Sequence, residues 1–103
     1  LIDANHNRPR LHKIFRLKNP FSGLVDYFAG DTELQAAVRP TDTPELYVLP
    51  YASRARIKEV PVLDPRFLPK LMAEMKGLFE VIVVDLPVSD QLIHIASLVR
   101  QIN

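Results

Sequence analysis

The sequence predicts an α/β domain: a three-layer arrangement with a parallel sheet and flanking helices. Three observations carry this expectation. The run Val81-Ile82-Val83-Val84 is β-branched and apolar on both faces, as in a strand buried inside a parallel sheet. Leu1-Ile2-Asp3-Ala4 reads as the second half of another buried strand. Helical patterns separate the strands, and that order implies crossover connections in one sheet.

The elements follow in chain order. Residues 8–18 interleave the basic side chains Arg8, Arg10, Lys13, Arg16 and Lys18 with Leu11, Ile14, Phe15 and Leu17. The spacing of 11, 14 and 15 predicts one face of a short helix. Asn19-Pro20 ends it, because a residue before proline avoids the helical region. Leu24, Val25, Tyr27 and Phe28 predict a second short helix, closed by Gly30 as a C-cap. Asp31-Thr32 offers an N-cap for a third at 33–38, which Arg39-Pro40 stops. Leu46-Tyr47-Val48-Leu49 is a short strand ended by Pro50. Residues 51–65 hold Pro61, Pro65, Arg54, Arg56 and Lys58 without a clear period and read as a loop. Tyr27, Tyr47 and Tyr51 are dispersed; Tyr51, at the start of this loop, has the best chance of exposure of the three, and a structural role is the expectation for it.

Residues 66–78 form the strongest helical pattern, with Phe67, Leu68, Leu71, Met72, Met75 and Leu78 along one apolar face. An interior Pro69 costs about 3 kcal/mol, but it is tolerated if the regular helix begins close to it. After residues 81–84, Ser89 or Asp90 caps a last helix carrying Leu92, Ile93, Ile95, Ala96, Val99 and Ile102.

Composition narrows the function. The 103 residues are 48% hydrophobic and 24% charged, which suits one globular domain over 1–103. Thirteen Lys+Arg against 12 Asp+Glu leave a net charge of +1, which makes no case for a nucleic-acid partner. The absence of cysteine excludes disulfides, thiolate zinc sites and a cysteine nucleophile. No apolar run approaches the ~18 residues of a membrane span. His6, His12 and His94 have no metal-like spacing and read as surface or satisfied histidines. No serine has the Gly-x-Ser-x-Gly context of a nucleophile elbow. Gly23, Gly30 and Gly77 are the only glycines, and none opens a Gly-x-x-x-x-Gly-Lys-Ser/Thr phosphate loop.

In parallel sheets, sites form at the carboxyl ends of strands. Asp3 and Asp85 end the two apolar runs there. Paired carboxylates in that position can hold Mg²⁺, and one can accept a proton from a hydroxyl nucleophile. The plainer role is to cap a turn. Strands lie roughly 4.8 Å apart, so the two carboxylates are expected within about 10 Å of each other.

The stretch Leu1-Ile2-Asp3-Ala4-Asn5-His6-Asn7-Arg8-Pro9-Arg10-Leu11-His12-Lys13-Ile14-Phe15 resembles the Walker A′ segment of the bacterial tyrosine kinases. These are the P-loop domains of capsular and exopolysaccharide export and chain-length regulators, related to MinD/ParA ATPases. The resemblance continues through residues 23–30, 37–42, 46–50 and 64–67 and the Walker B strand at 81–87, and so covers nearly the whole chain. It implies ATP-dependent tyrosine phosphorylation with ATP and Mg²⁺. It implies Asp3 and Asp85 as catalytic and metal-binding residues, and Asn5 and Arg8 at cofactor-binding positions. A membrane-embedded polysaccharide co-polymerase or activator is the implied partner, with a cytoplasmic location at the inner face of the membrane.

The sequence also departs from the family pattern. Walker A′ reads Asp-x-Asp-x-Arg, and here Asn5 and Asn7 replace the second acid and the arginine, with Arg8 following. An amide cannot supply the charge that helps retain a divalent cation. Walker B reads Asp-x-Pro-Pro, and Val88 replaces the second proline. The chain holds neither the Walker A loop nor a tyrosine-rich tail. It is therefore expected to be the middle portion of a larger domain, to self-associate through unpaired strand edges, and not to bind ATP alone. Two alternatives stand beside the kinase: a non-catalytic interaction domain in polysaccharide assembly, and a MinD/ParA-type ATPase for positioning or pilus assembly.

Overall fold

The structure, a computed structural model, describes residues 1–6, 8–56 and 68–85. Its elements are β1 (Ile2–Asp3), α1 (Leu11–Ile14), α2 (Leu24–Phe28), α3 (Leu34–Ala37), β2 (Arg39–Pro40), β3 (Tyr47–Val48), α4 (Leu68–Leu78) and β4 (Val84–Asp85). The helix expected at 89–102 and most of the 51–65 loop lie outside the described residues.

β1 is the middle of the sheet. The N–H groups of Ile2 and Ala4 donate to the carbonyls of Val83 and Asp85 at 2.8 and 3.0 Å. The N–H of Asp3 points the other way and donates to the Leu49 carbonyl at 2.9 Å. This alternation is what a strand with parallel neighbours on both sides requires. β4 lies parallel to β1, with Ile2 opposite Val84 and Asp3 opposite Asp85. Leu49 bridges Ile2 in parallel on the other side. Arg39 and Pro40 do end α3, and they also form β2, antiparallel to β3. Proline cannot donate to a ladder, so it fits an edge strand such as this.

Strand alternation sends Ile2 and Ala4 to one face of the sheet. They share one core with Leu24, Leu34, Ala37, Leu49, Leu71, Met72 and Met75, so α2, α3 and α4 all pack there. Full burial of each larger apolar side chain contributes about 1.5–3 kcal/mol. Pro69 sits at the second residue of α4, inside the first turn, where its missing N–H costs little. The apolar face of α4 stops a turn before its end, because Leu78 is exposed.

Three expectations need correction. Residues 81–84 are not covered on both faces: Val81 is 77% and Val83 54% exposed. Val84 packs against the core, and alternation turns Val83 away from it. Second, the helix expected within 8–18 spans only Leu11–Ile14. Arg16 adopts φ +51°, and the N–H groups of Arg16 and Leu17 bond back to the carbonyls of Lys13 and His12 at 3.2 and 3.0 Å. That is a Schellman turn, with arginine where glycine is usual. It stops the helix well before Pro20 and leaves Ile14 exposed. Third, the N-cap of α3 is Glu33 rather than Asp31 or Thr32, and no side chain bonds into the helix start.

The start of α2 docks onto the chain just after β3. The N–H groups of Leu24 and Val25 donate to the carbonyls of Pro50 and Tyr51, both at 2.8 Å. The backbones approach so closely that a Cβ on Gly23 would lie 2.5 Å from the Ala52 nitrogen and 2.6 Å from the Pro50 oxygen. Both are backbone atoms and cannot rotate away. Gly23→Ala should therefore destabilise the fold by about 1–3 kcal/mol through overpacking. Urea unfolding measures this, and an unchanged midpoint would contradict the contact.

Candidate functional site at the carboxyl ends of β1 and β4

The parallel register sets Asp3 and Asp85 side by side at the carboxyl ends of adjacent strands. Their surroundings differ. Asp3 is fully buried, whereas the Asp85 side chain is 17% exposed. Asp3 accepts three backbone hydrogen bonds: Oδ1 from the N–H of Asn5 at 3.1 Å, and Oδ2 from those of Arg10 and Leu11 at 3.0 and 3.1 Å. Arg10 and Leu11 open α1, whose first N–H groups have no partner within the helix. Asp3 thus caps α1 from seven and eight residues away and closes the connecting loop onto the strand.

The other residues singled out in the sequence fall around this loop. Asn5 Oδ1 accepts the N–H of Arg8 at 3.0 Å, so the amide shapes the turn. Arg8 is exposed, and Asn7 lies outside the described residues. Arg10 was read from the sequence only as one of the basic side chains of 8–18, not as a partner of Asp85. Its Nε donates to Asp85 Oδ2 at 3.3 Å and its Nη2 to Oδ1 at 3.5 Å, a two-pronged contact. The Arg10 side chain is 57% exposed, so solvent screens this pair and its worth to stability is small.

The donor set argues against a metal held by these side chains alone. Three N–H groups occupy Asp3, and a guanidinium covers Asp85. Among the described residues, no cluster of three or more acidic or histidine side chains is placed to hold a metal ion. Mg²⁺ does not fit the pair as it stands.

Asp26 is a second buried carboxylate whose role the sequence reading missed. Its Oδ2 accepts the N–H groups of Gly23 at 2.9 Å and Ser53 at 2.6 Å, and its Oδ1 accepts the Ser53 hydroxyl at 2.9 Å. Arg56 pairs with it at 3.7 Å and also reaches Asp31. The available signal was Gly23-x-x-Asp26 before an apolar run, half of a capping box. Tyr51 is fully buried, which fits the structural role expected of it, and Tyr47 rather than Tyr51 is the exposed tyrosine. Burial first, and then the charge of Asp3, pushes the Tyr51 hydroxyl up to about 12. His12 stacks on Phe21 with ring centroids 5.8 Å apart, so its role is packing.

Burial raises the Asp3 pKa above the ordinary aspartate value. The three N–H donors oppose the shift, and the charge of Asp85 adds to it. A raised folded value means that the stability contributed by this titration is fully present below the ordinary value. It is lost as pH rises through the folded value. Carbon-detected NMR titration should give Asp3 a midpoint above that of an ordinary aspartate, and Asp85→Asn should lower it. A midpoint at or below the ordinary value would contradict the burial argument.

No protein-family model matches the chain, and no curated protein sequence matches it. Solved structures do resemble it. The septum site-determining protein MinD of Pyrococcus horikoshii, complexed with Mg-ADP, is 26% identical with a TM-score of 0.73, over 95% of this chain and 40% of that one. The cell division ATPase MinD of Pyrococcus furiosus is 26% identical with a TM-score of 0.72, over 94% of this chain and 40% of that one. The chimerical protein CapA2B2, at 19% identity and a TM-score of 0.75 over 96% of this chain and 43% of that one, shares the fold. The chain thus spans less than half the length of each of these proteins. Its α/β architecture is that of a MinD-like P-loop NTPase fold.

Proposed function

We propose that the chain is part of an ATP-dependent domain of the MinD and bacterial tyrosine kinase kind, acting in capsular or exopolysaccharide production. The observation that carries this reading is the in-register placement of Asp3 and Asp85 at the carboxyl ends of β1 and β4. Segments 8–15 and 37–50 favour the kinase branch over a positioning ATPase. In this reading the phosphate loop comes from residues outside these 103, and the domain works in the cytoplasm beside a membrane-embedded activator, in self-association. Bound ATP would supply the phosphoryl group.

The chain's own residues then have distinct tasks. Asp3 is committed to the backbone and holds the loop that carries Arg10. Arg10 is the movable group, because its side chain is half exposed and its bonds to Asp85 are long. Phosphate oxygens match the planar guanidinium fork as well as a carboxylate does. Arg10 would be the residue to hold a bound polyphosphate, and in turning to it would uncover the Asp85 carboxylate.

One observation favours the second reading, a non-catalytic interaction domain. Asn5 stands where the family has an acid, its amide oxygen accepts the Arg8 N–H, and Asp85 is covered by Arg10. Phosphate release and anti-phosphotyrosine signal of the full-length protein separate the two. If the domain is active, Asp85→Asn should lower turnover by about 100-fold, some 2.7 kcal/mol in the barrier. Asn5→Asp should raise turnover by adding a carboxylate beside Asp3. No turnover in the native protein, and none gained with Asn5→Asp, would leave the interaction domain standing.

A further inference from the structure

The Schellman turn after α1 forms one wall of an open cleft of about 690 Å³. Residues 14–18 line that wall, and residues 39–43, from β2 and the turn after it, line the other. The cleft lies beyond the end of α1 remote from Asp3, so it is separate from the strand-end carboxylates.

Its chemistry is mixed. Ile14 is 60% exposed, and Phe15 is half-buried beside it. Arg16, Lys18 and Arg39 bring three positive charges, and Asp42 brings one negative charge. Among the described residues, none of these three cations has a carboxylate partner; the ion pairs there belong to Arg10 and Arg56. Arg39 is held in place, because its Nη1 donates to the Pro20 carbonyl at 3.2 Å. The turn fixes the backbone of Arg16 at φ +51°, and its side chain is exposed. An exposed isoleucine among cations without carboxylate partners, one of them held in place, asks for a ligand that is apolar and anionic together. The volume falls in the range of about 300–1,000 Å³ that binding pockets occupy.

We propose that this cleft binds an acidic peptide segment that carries apolar side chains. Carboxylates of the segment meet Arg16, Lys18 and Arg39, and its apolar side chains cover Ile14 and Phe15. Two walls around a concavity suit a peptide better than the flat surface of a membrane. The excess of positive over negative charge in the cleft excludes a basic segment.

The test uses the full chain and a fluorescein-labelled synthetic peptide of repeating Glu-Glu-Leu. Fluorescence anisotropy should show saturable binding that weakens as salt is raised. A Glu-Glu-Ser peptide should bind about tenfold more weakly, and a Lys-Lys-Leu peptide not at all. Lys18→Glu with Arg16→Asn should cost about tenfold or more, because asparagine tolerates the left-handed conformation while removing the charge. Ile14→Ser should act in the same direction, and circular dichroism checks that each variant stays folded. If the Arg16 change disturbs the turn, Lys18→Glu alone carries the test. The proposal is overturned by absence of saturable binding, by equal binding of the Leu and Ser peptides, or by equal binding of native chain and folded variants. Binding to phosphatidylserine vesicles without binding to the peptide would overturn it in favour of a membrane surface.

Discussion

A carboxylate taken out of water must find donors, and Asp3 finds three in the backbone N–H groups of Asn5, Arg10 and Leu11. Leaving any of these buried groups unpaired would cost about 1–3 kcal/mol. The arrangement is therefore mutual: the loop cannot leave the strand without stranding Asp3, and Asp3 cannot be replaced without stranding the loop. Its position gives it reach. β1 lies between β4 and Leu49, so the carboxylate sits at the centre of the sheet edge. Through Arg10 it also determines what stands over Asp85.

The same device appears again on the other side of β3. Asp26 accepts the N–H groups of Gly23 and Ser53 and joins the start of α2 to the chain that follows the strand. Gly23 permits the close approach, and Asp26 secures it. The short helices of this chain owe little to propensity, since helices of four or five residues are far below the length that is stable alone. Buried carboxylates and the shared core hold them instead. The carboxyl edge of the sheet is thus built on backbone hydrogen bonds, with one exposed ion pair, Arg10 to Asp85, as its adjustable part.

Much of this was legible in the sequence where one physical signal dominates. The placement of Asp3 and Asp85 at one sheet edge follows from apolar runs that end in acid. α4 follows from its apolar period, and Pro69 from its place in the first turn. Other features need knowledge of what lies across the fold. The exposure of Val81 and Val83 depends on which sheet face the helices cover, and a β-branched run looks the same either way. The early end of α1 depends on an arginine in a conformation that glycine usually takes. The bond between Arg10 and Asp85 joins residues 75 apart in the chain, and no local pattern announces it. Tyr51 is buried in a cluster with Val25 of α2, 26 residues away in the chain, so its burial is equally non-local.

Native-state amide hydrogen exchange tests the central role of Asp3 most directly, with the native chain compared to Asp3→Asn. Asparagine keeps the shape but offers one acceptor oxygen and turns an NH₂ toward a backbone donor. The account predicts that the amides of Asn5, Arg10 and Leu11 exchange at least tenfold faster in the variant, roughly 1.4 kcal/mol of local protection. The sheet amides of Ile2 and Ala4 should keep most of theirs, because Val83 and Asp85 still accept them. Unchanged protection at Asn5, Arg10 and Leu11 would contradict the claim that the Asp3 carboxylate holds this edge together.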